Sequence, residues 1–246
     1  MIRQSRLTWV IILAVAASVP QATADESIGE QESEIIGLMH DRLDNLTDIR
    51  SNLVMVDLAG ARVPARALAE RENDPAVAKQ VEPYVEVLSK LATQVLEAES
   101  IESAAKSVSM LAANCGYCHM VNKVGLQFGY DQLPADWTDT QTHMQRHQWA
   151  IDRMWEGIIG PSAGAWKRGS TMLAGEPLHA DYIVGIRNPE QAAVANELAG
   201  RVHELGRIGA DAPTPAARSE IYSEMINLCA DCHRRLGLGP GNRLTR

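Results

Sequence analysis

The chain has 246 residues, of which 46% are hydrophobic and 22% are charged, so it is expected to fold into one or two domains rather than to remain disordered. It carries 31 acidic against 23 basic residues, a net charge of −8, which argues against a nucleic-acid-binding protein, because such a protein needs a basic face. Aromatic residues make up only 4% and β-branched runs are scarce, which disfavours an all-β sandwich or barrel.

Residues 1–24 have the pattern of a secretory signal peptide. Arg3 and Arg6 give a basic start, residues 7–19 are uncharged and largely apolar, and residues 22–24 are the small residues Ala-Thr-Ala that a signal peptidase reads. The apolar run is shorter than the ~20 residues that span a bilayer. We therefore expect cleavage after residue 24, export to a bacterial periplasm and no stable membrane insertion of the mature chain.

Four helices are expected in the first half of the mature chain, residues 25–123. The first has apolar residues at steps of three, four and seven, which form one face of a helix. These residues are Ile36, Met39, Leu43, Leu46, Leu53 and Val56. Pro64 should interrupt the pattern, with a short second helix over 65–71. Asp74-Pro75 should begin a third helix, and a fourth should start near Ile101.

The second half, residues 139–246, repeats this order after a linker of residues 124–138 that is rich in Gly, Asp and Pro. The apolar stripe of its first helix consists of Met144, His147, Ile151, Met154 and Ile158. A break at Gly160-Pro161 should precede a short helix over 163–173. Asn188-Pro189 should begin the third helix, and Pro213 and Pro215 should open the fourth.

All four cysteines belong to two copies of one five-residue motif, each at the end of a predicted fourth helix. The copies are Cys115-Gly-Tyr-Cys118-His119 and Cys229-Ala-Asp-Cys232-His233. Cys-x-x-Cys-His is the attachment sequence of a c-type haem. Positions i and i+3 of a helix point the same way, so both thiols can form thioethers with the haem vinyl groups, and the histidine that follows ligates the iron. The sequence therefore predicts two covalently attached haem c groups.

Three other uses of the cysteines compete with haem attachment. A thioredoxin-like redox pair needs an alternation of strands and helices, which is absent around both motifs. A Cys₄ zinc site, or two local disulfides in an oxidising compartment, would not require a histidine after each pair.

Four helices per haem, with the haem on the last helix, resembles the class II c-type cytochromes, whose best-known fold is that of cytochrome c prime. The resemblance implies an all-α protein of two tandem four-helix bundles. A class I cytochrome c domain has its motif near the start of the domain, and the 13 residues after His233 leave no room for one.

The resemblance also implies that the distal side of each haem faces the first helix of its half. In the second half we favour His147 as the sixth iron ligand, with His143 and Met144 as alternatives. Leu43 stands at the corresponding position of the first half, so there we favour His40, with Met39 as the alternative; an open, five-coordinate first iron is the other possibility.

Several polar and aromatic residues have less specific expectations. Arg42 and Arg146 are candidates for pairing with haem propionates, because a guanidinium matches a carboxylate. His179 and His203 are expected at the surface. The tryptophans of the second half are expected in the core or at a haem edge, and they are Trp149, Trp155 and Trp166.

The leading functional hypothesis is a periplasmic di-haem cytochrome c that carries single electrons between redox proteins. This hypothesis favours an electron carrier over an enzyme and leaves an enzymatic activity open. Its acidic surface would favour a basic docking patch on the partner; its oligomeric state stays open. The alternative is a protein that binds NO or CO at an open first haem. A peroxidase is a third hypothesis, which would need a distal acid–base group such as Asp41 or Glu34.

Overall fold

A computed structural model describes residues 22–70, 81–126, 128, 132–134, 139–175, 186 and 188–238, with side chains from residue 34 onward. These residues form eight α-helices and no strand, which confirms the all-α class. The helices are α1 (Ala22–Val54), α2 (Leu58–Ala69), α3 (Glu82–Glu97), α4 (Ile101–Val121), α5 (Thr140–Ile159), α6 (Ala163–Leu173), α7 (Pro189–Ala210) and α8 (Pro215–Arg235).

Most of the predicted signal peptide, residues 1–21, lies outside the described residues, as do residues 71–80, where the third helix was expected to begin. None of the described helices combines the length and apolar character that a membrane-spanning helix requires.

Side-chain caps explain where several helices begin. Ser100 accepts a hydrogen bond from the backbone N–H of Ser103, whose hydroxyl in turn accepts one from the N–H of Ser100, a capping box that starts α4. Asp139 starts α5 in the same way. Asn188 and Thr214 cap α7 and α8, each followed by a proline in the first turn.

The second helix differs from its prediction. It runs over Leu58–Ala69 rather than 65–71, and Pro64 lies buried inside it instead of interrupting the pattern. The break falls earlier, where Val56 adopts a positive φ of 62°. Asp57 then caps the new helix by accepting a hydrogen bond from the N–H of Gly60 at 2.7 Å.

Within α1–α4 and within α5–α8, each helix packs against the next helix in the chain. In addition, α4 packs extensively against α8. Further contacts join α1 to α8 and α4 to α5. Most buried apolar side chains of both halves belong to one cluster, which includes Leu53 of α1, Leu111 of α4, Met154 of α5 and Met225 of α8. The two halves therefore share a continuous core. Ile36, expected in that core, is 49% exposed.

A buried polar group ties α1, α5 and α8 together. Arg50 forms an ion pair with Asp152 at 2.8 Å and donates a hydrogen bond to the Tyr222 hydroxyl at 3.3 Å. That hydroxyl donates to the carbonyl of Ile151 at 3.0 Å, and the Tyr222 ring stacks on Trp155. Each buried polar atom in this chain of contacts gains a partner, which offsets the cost of removing it from water.

Candidate functional site

The two cysteine motifs lie in the last turns of α4 and α8, the two helices that pack against each other between the halves. All four cysteines are half-buried free thiols, so no disulfide joins the two cysteines of either motif. Each pair sits at positions i and i+3 of its helix, the spacing that places both thiols on one side.

The histidine of each motif forms a hydrogen bond with the opposite half of the chain. His119 Nδ1 lies 2.8 Å from the carbonyl oxygen of Ile159, the last residue of α5. His233 Nδ1 lies 2.9 Å from the carbonyl oxygen of Val54, the last residue of α1. The two bonds are reciprocal, because each half supplies the acceptor for the other half's histidine.

These bonds determine which nitrogen of each ring can ligate a metal. A carbonyl oxygen only accepts hydrogen bonds, so Nδ1 of His119 and of His233 must carry the proton. In the neutral ring Nε2 then carries the lone pair, and a donor bond of this kind is the arrangement that orients metal-ligating histidines and makes them more basic.

Burial keeps the four thiols protonated. It raises the pKa of Cys115 and that of Cys229 to about 12, with a smaller contribution from the neighbouring cysteine of each motif. Burial also raises the pKa of Cys118 and of Cys232. The inner thiol of each pair is thus held in an apolar environment.

Around the first motif, Arg42 of α1 is buried, and its charge opposes the rise in the pKa of Cys115 and Cys118. The predicted ligand His40 is exposed on α1, and the alternative Met39 is half-buried. Leu43 is partly buried and packs against the core. The α1 face nearest the motif therefore offers an arginine and apolar groups rather than a buried imidazole.

Beside the second motif, a cleft opens between α7 and α8. Cys232 lines it together with apolar side chains of α7, Val194 and Leu198, and with Leu236 beyond α8. One thiol of this motif therefore faces a concave, largely apolar surface.

Three histidines of the second half converge between α5 and α7. His143, His147 and His203 each offer a ring nitrogen, and these atoms all lie within 4.8 Å of one another. His147 Nε2 and His203 Nε2 are 3.3 Å apart. The ring centres of His143 and His147, one helical turn apart on α5, are separated by 4.3 Å. Met144, the other alternative ligand, is 37% exposed.

The three imidazoles are held in the neutral form. Burial lowers the pKa of His143 to about 4, with further lowering by His203 and Arg146. Burial also lowers the pKa of His147 well below its usual value, and the charges of His143, His203 and His233 add to this effect. His147 therefore lies within electrostatic reach of the second motif. Burial lowers the pKa of His203 as well.

The expectation that His203 lies at the surface is wrong, because it is only 2% exposed. The sequence did contain a signal for this burial, because Gly206 and Gly209 follow His203 at steps of three and lie on the same face of α7. A Cβ at Gly206 would lie 2.6 Å from the backbone nitrogen of Ala174, so α6 and α7 approach closely along this face. His179 lies outside the described residues.

Two of the predicted core tryptophans, Trp155 and Trp166, are buried, and Trp149 is partly buried against the core. Among the described residues, the histidine cluster is the one group of three or more His, Cys, Asp or Glu side chains close enough to share a metal ion. The four cysteines, all of them described, do not form such a group, which contradicts the Cys₄ zinc hypothesis.

Comparison of the chain with protein-family models, with curated proteins and with solved structures gave no match.

Proposed function

We propose that the protein is a periplasmic di-haem cytochrome c that carries single electrons between redox partners. Cys115 and Cys118 would hold one haem and Cys229 and Cys232 the other, with His119 and His233 as proximal iron ligands. Each haem iron would supply the one-electron couple between Fe(II) and Fe(III). The signal-peptide pattern of residues 1–24 supports the periplasmic location.

The observation that carries this proposal is the matched pair of histidine bonds. In both motifs Nδ1 donates to a backbone carbonyl, 2.8 Å away for His119 and 2.9 Å away for His233. These bonds fix the same tautomer in both motifs and leave Nε2 of each histidine able to ligate iron. The free thiols at i and i+3 complete the set that covalent haem attachment requires.

The protein groups would orient the haems, limit the access of water and steer the partner. The shared apolar core lowers the dielectric constant around the motif helices, and the packing of α4 on α8 keeps the two motifs in a fixed relation. The excess of acidic over basic residues would speed encounter with a partner that presents a basic patch. We further propose that α1–α4 and α5–α8 are two cytochrome c prime-like four-helix units in tandem.

Haem content tests the proposal. The exported protein, produced with a c-type maturation system, should contain two covalent haems per chain by pyridine haemochrome absorbance and by mass. The double variants Cys115→Ala/Cys118→Ala and Cys229→Ala/Cys232→Ala should each retain one haem. Tyr117→Phe, an exposed change inside the first motif, is the matched control and should retain both. A chain that matures without covalent haem would contradict the proposal.

A second candidate function is the binding of NO or CO at the first haem. It is favoured by the exposure of His40, which leaves the partly buried Leu43 at the position that corresponds to His147. The reduced protein should then bind CO at one haem per chain, as seen in its absorption spectrum, and His40→Ala should leave this binding unchanged. Loss of low-spin character in His40→Ala would instead assign His40 to the iron.

A further inference from the structure

The cluster of His143, His147 and His203 has the composition of a metal site that does not involve the cysteine motifs. Three neutral imidazoles are the ligand set that Zn²⁺ and Cu²⁺ accept, and two histidines at positions i and i+4 of one helix are a recurrent way to supply two of them. His143 and His147 have this spacing on α5, and His203 approaches from α7.

The distances fit a tetrahedral ion. Two nitrogens bound to zinc at about 2.0–2.1 Å and separated by a tetrahedral angle lie roughly 3.3 Å apart. The Nε2 atoms of His147 and His203 are 3.3 Å apart. The same separation also allows a hydrogen bond between the two rings when no ion is bound. The third imidazole offers its nitrogen within 4.8 Å of both, so a small side-chain rotation closes the triangle.

The surroundings add two constraints. His143 and His203 are 3% and 2% exposed, so their rings are already removed from water and positioned by the core. Arg146 lies within electrostatic range of His143, and Arg207 within that of His203, so positive charge acts on the cluster. These cations oppose the binding of a divalent ion, and a small anion as the fourth ligand would offset that repulsion better than neutral water.

We infer that His143, His147 and His203 form a non-haem site for a borderline divalent metal ion, Zn²⁺ or Cu²⁺. Ligation of the second iron and of this ion are alternative uses of His147. The contacts of His147 with His143 and His203 favour the second use, because His233 is not a member of the group whose ligand atoms converge.

The test uses the intact, haem-loaded protein, stripped of metal by a chelator and titrated with Zn²⁺ by calorimetry. Wild type should bind one Zn²⁺ per chain. His203→Gln should weaken binding more than ~100-fold, since even residues that only support metal ligands contribute about 10–100-fold. Gln145→Ala, an exposed change on α5 between two of the ligands, is the matched control and should bind like wild type.

Haem content and far-UV circular dichroism are measured on every sample, and His143→Gln serves as a second variant if His203→Gln folds poorly. His203 is not among the predicted iron ligands, so loss of Zn²⁺ binding with two haems retained supports the inference separately from the proposed function. Failure of wild type to bind Zn²⁺, or equal affinity in wild type and both histidine variants, overturns it. Absence of covalent haem would overturn the proposed function alone.

Discussion

Replacing Gly116 by alanine tests how closely α4 packs on the end of α5. A Cβ at this position would lie 2.0 Å from the carbonyl oxygen of Ile158 and 3.2 Å from its carbonyl carbon. Both are backbone atoms of a helix end, so they cannot move aside as a flexible side chain would. The two helices must separate, and the bond between His119 and Ile159 would lengthen with them.

The expected magnitude follows from two opposing terms. Overpacking of a well-packed site costs about 1–3 kcal/mol, and a clash with backbone belongs at the upper end. Alanine recovers ~1 kcal/mol over glycine in a helix interior. The free energy of unfolding should therefore fall by roughly 2 kcal/mol, which lowers the Tm of a chain of this size by about 4–8 °C.

Gly200→Ala is the matched control, because Gly200 also lies inside a helix but a Cβ there would meet nothing within 4 Å. It should raise the free energy of unfolding by about 0.5–1 kcal/mol. Both variants are compared with wild type by thermal and urea unfolding, followed by circular dichroism. The same substitution should thus lower the free energy of unfolding at Gly116 and raise it at Gly200. A Gly116→Ala protein as stable as wild type would refute the close approach of α4 to α5.

Two further predictions concern the buried polar group between the halves. Burial raises the pKa of Tyr222 to about 12. The stability contributed by its neutral hydroxyl is therefore complete below about pH 10, the usual tyrosine pKa, and is lost as the pH rises towards the raised value. Tyr222→Phe should flatten the alkaline decline in urea-unfolding free energy over this range, and an unchanged decline would assign it to other groups. Asp152→Asn leaves the buried Arg50 guanidinium without its carboxylate partner and should lower the free energy of unfolding by ~1–3 kcal/mol in the same assay. The loss should be smaller than that from breaking a fully buried ion pair, because Asp152 is 35% exposed. Glu224→Gln, in an exposed ion pair, should change stability by less than ~1 kcal/mol, and equal losses in the two variants would contradict this reasoning.

Most helix positions could be predicted because their signals are local. Asn188-Pro189 combines a side-chain cap with a proline that suits the first turn, and α7 begins there. The α6 range of 163–173 was predicted correctly from the preceding Gly-Pro break. The break predicted at Pro64 was wrong. A proline is costly inside a helix, but α2 continues through Pro64 after Asp57 caps its start. No local pattern indicated the positive φ of Val56 that creates the real break.

The candidate sites were predictable to the extent that their chemistry is contiguous in sequence. Each cysteine motif occupies five consecutive residues, so both could be recognised directly. The hydrogen-bond partners of the motif histidines could not be predicted, because they are distant in sequence. His119 is hydrogen-bonded to Ile159, 40 positions away, and His233 to Val54, 179 positions away. The histidine cluster was missed in part for the same reason, because its members come from two helices, α5 and α7. His203 also lies outside the apolar face that was predicted for α7.

The reciprocal histidine bonds have an electrostatic consequence for the proposed haems. Val54 and Ile159 are the last residues of α1 and α5, where carbonyl groups lack donors within their own helix and the helix macrodipole has its negative end. An imidazole that donates its proton to such a carbonyl becomes a stronger electron donor through its other nitrogen. Both proximal ligands would then favour ferric over ferrous iron, which shifts both reduction potentials towards more negative values.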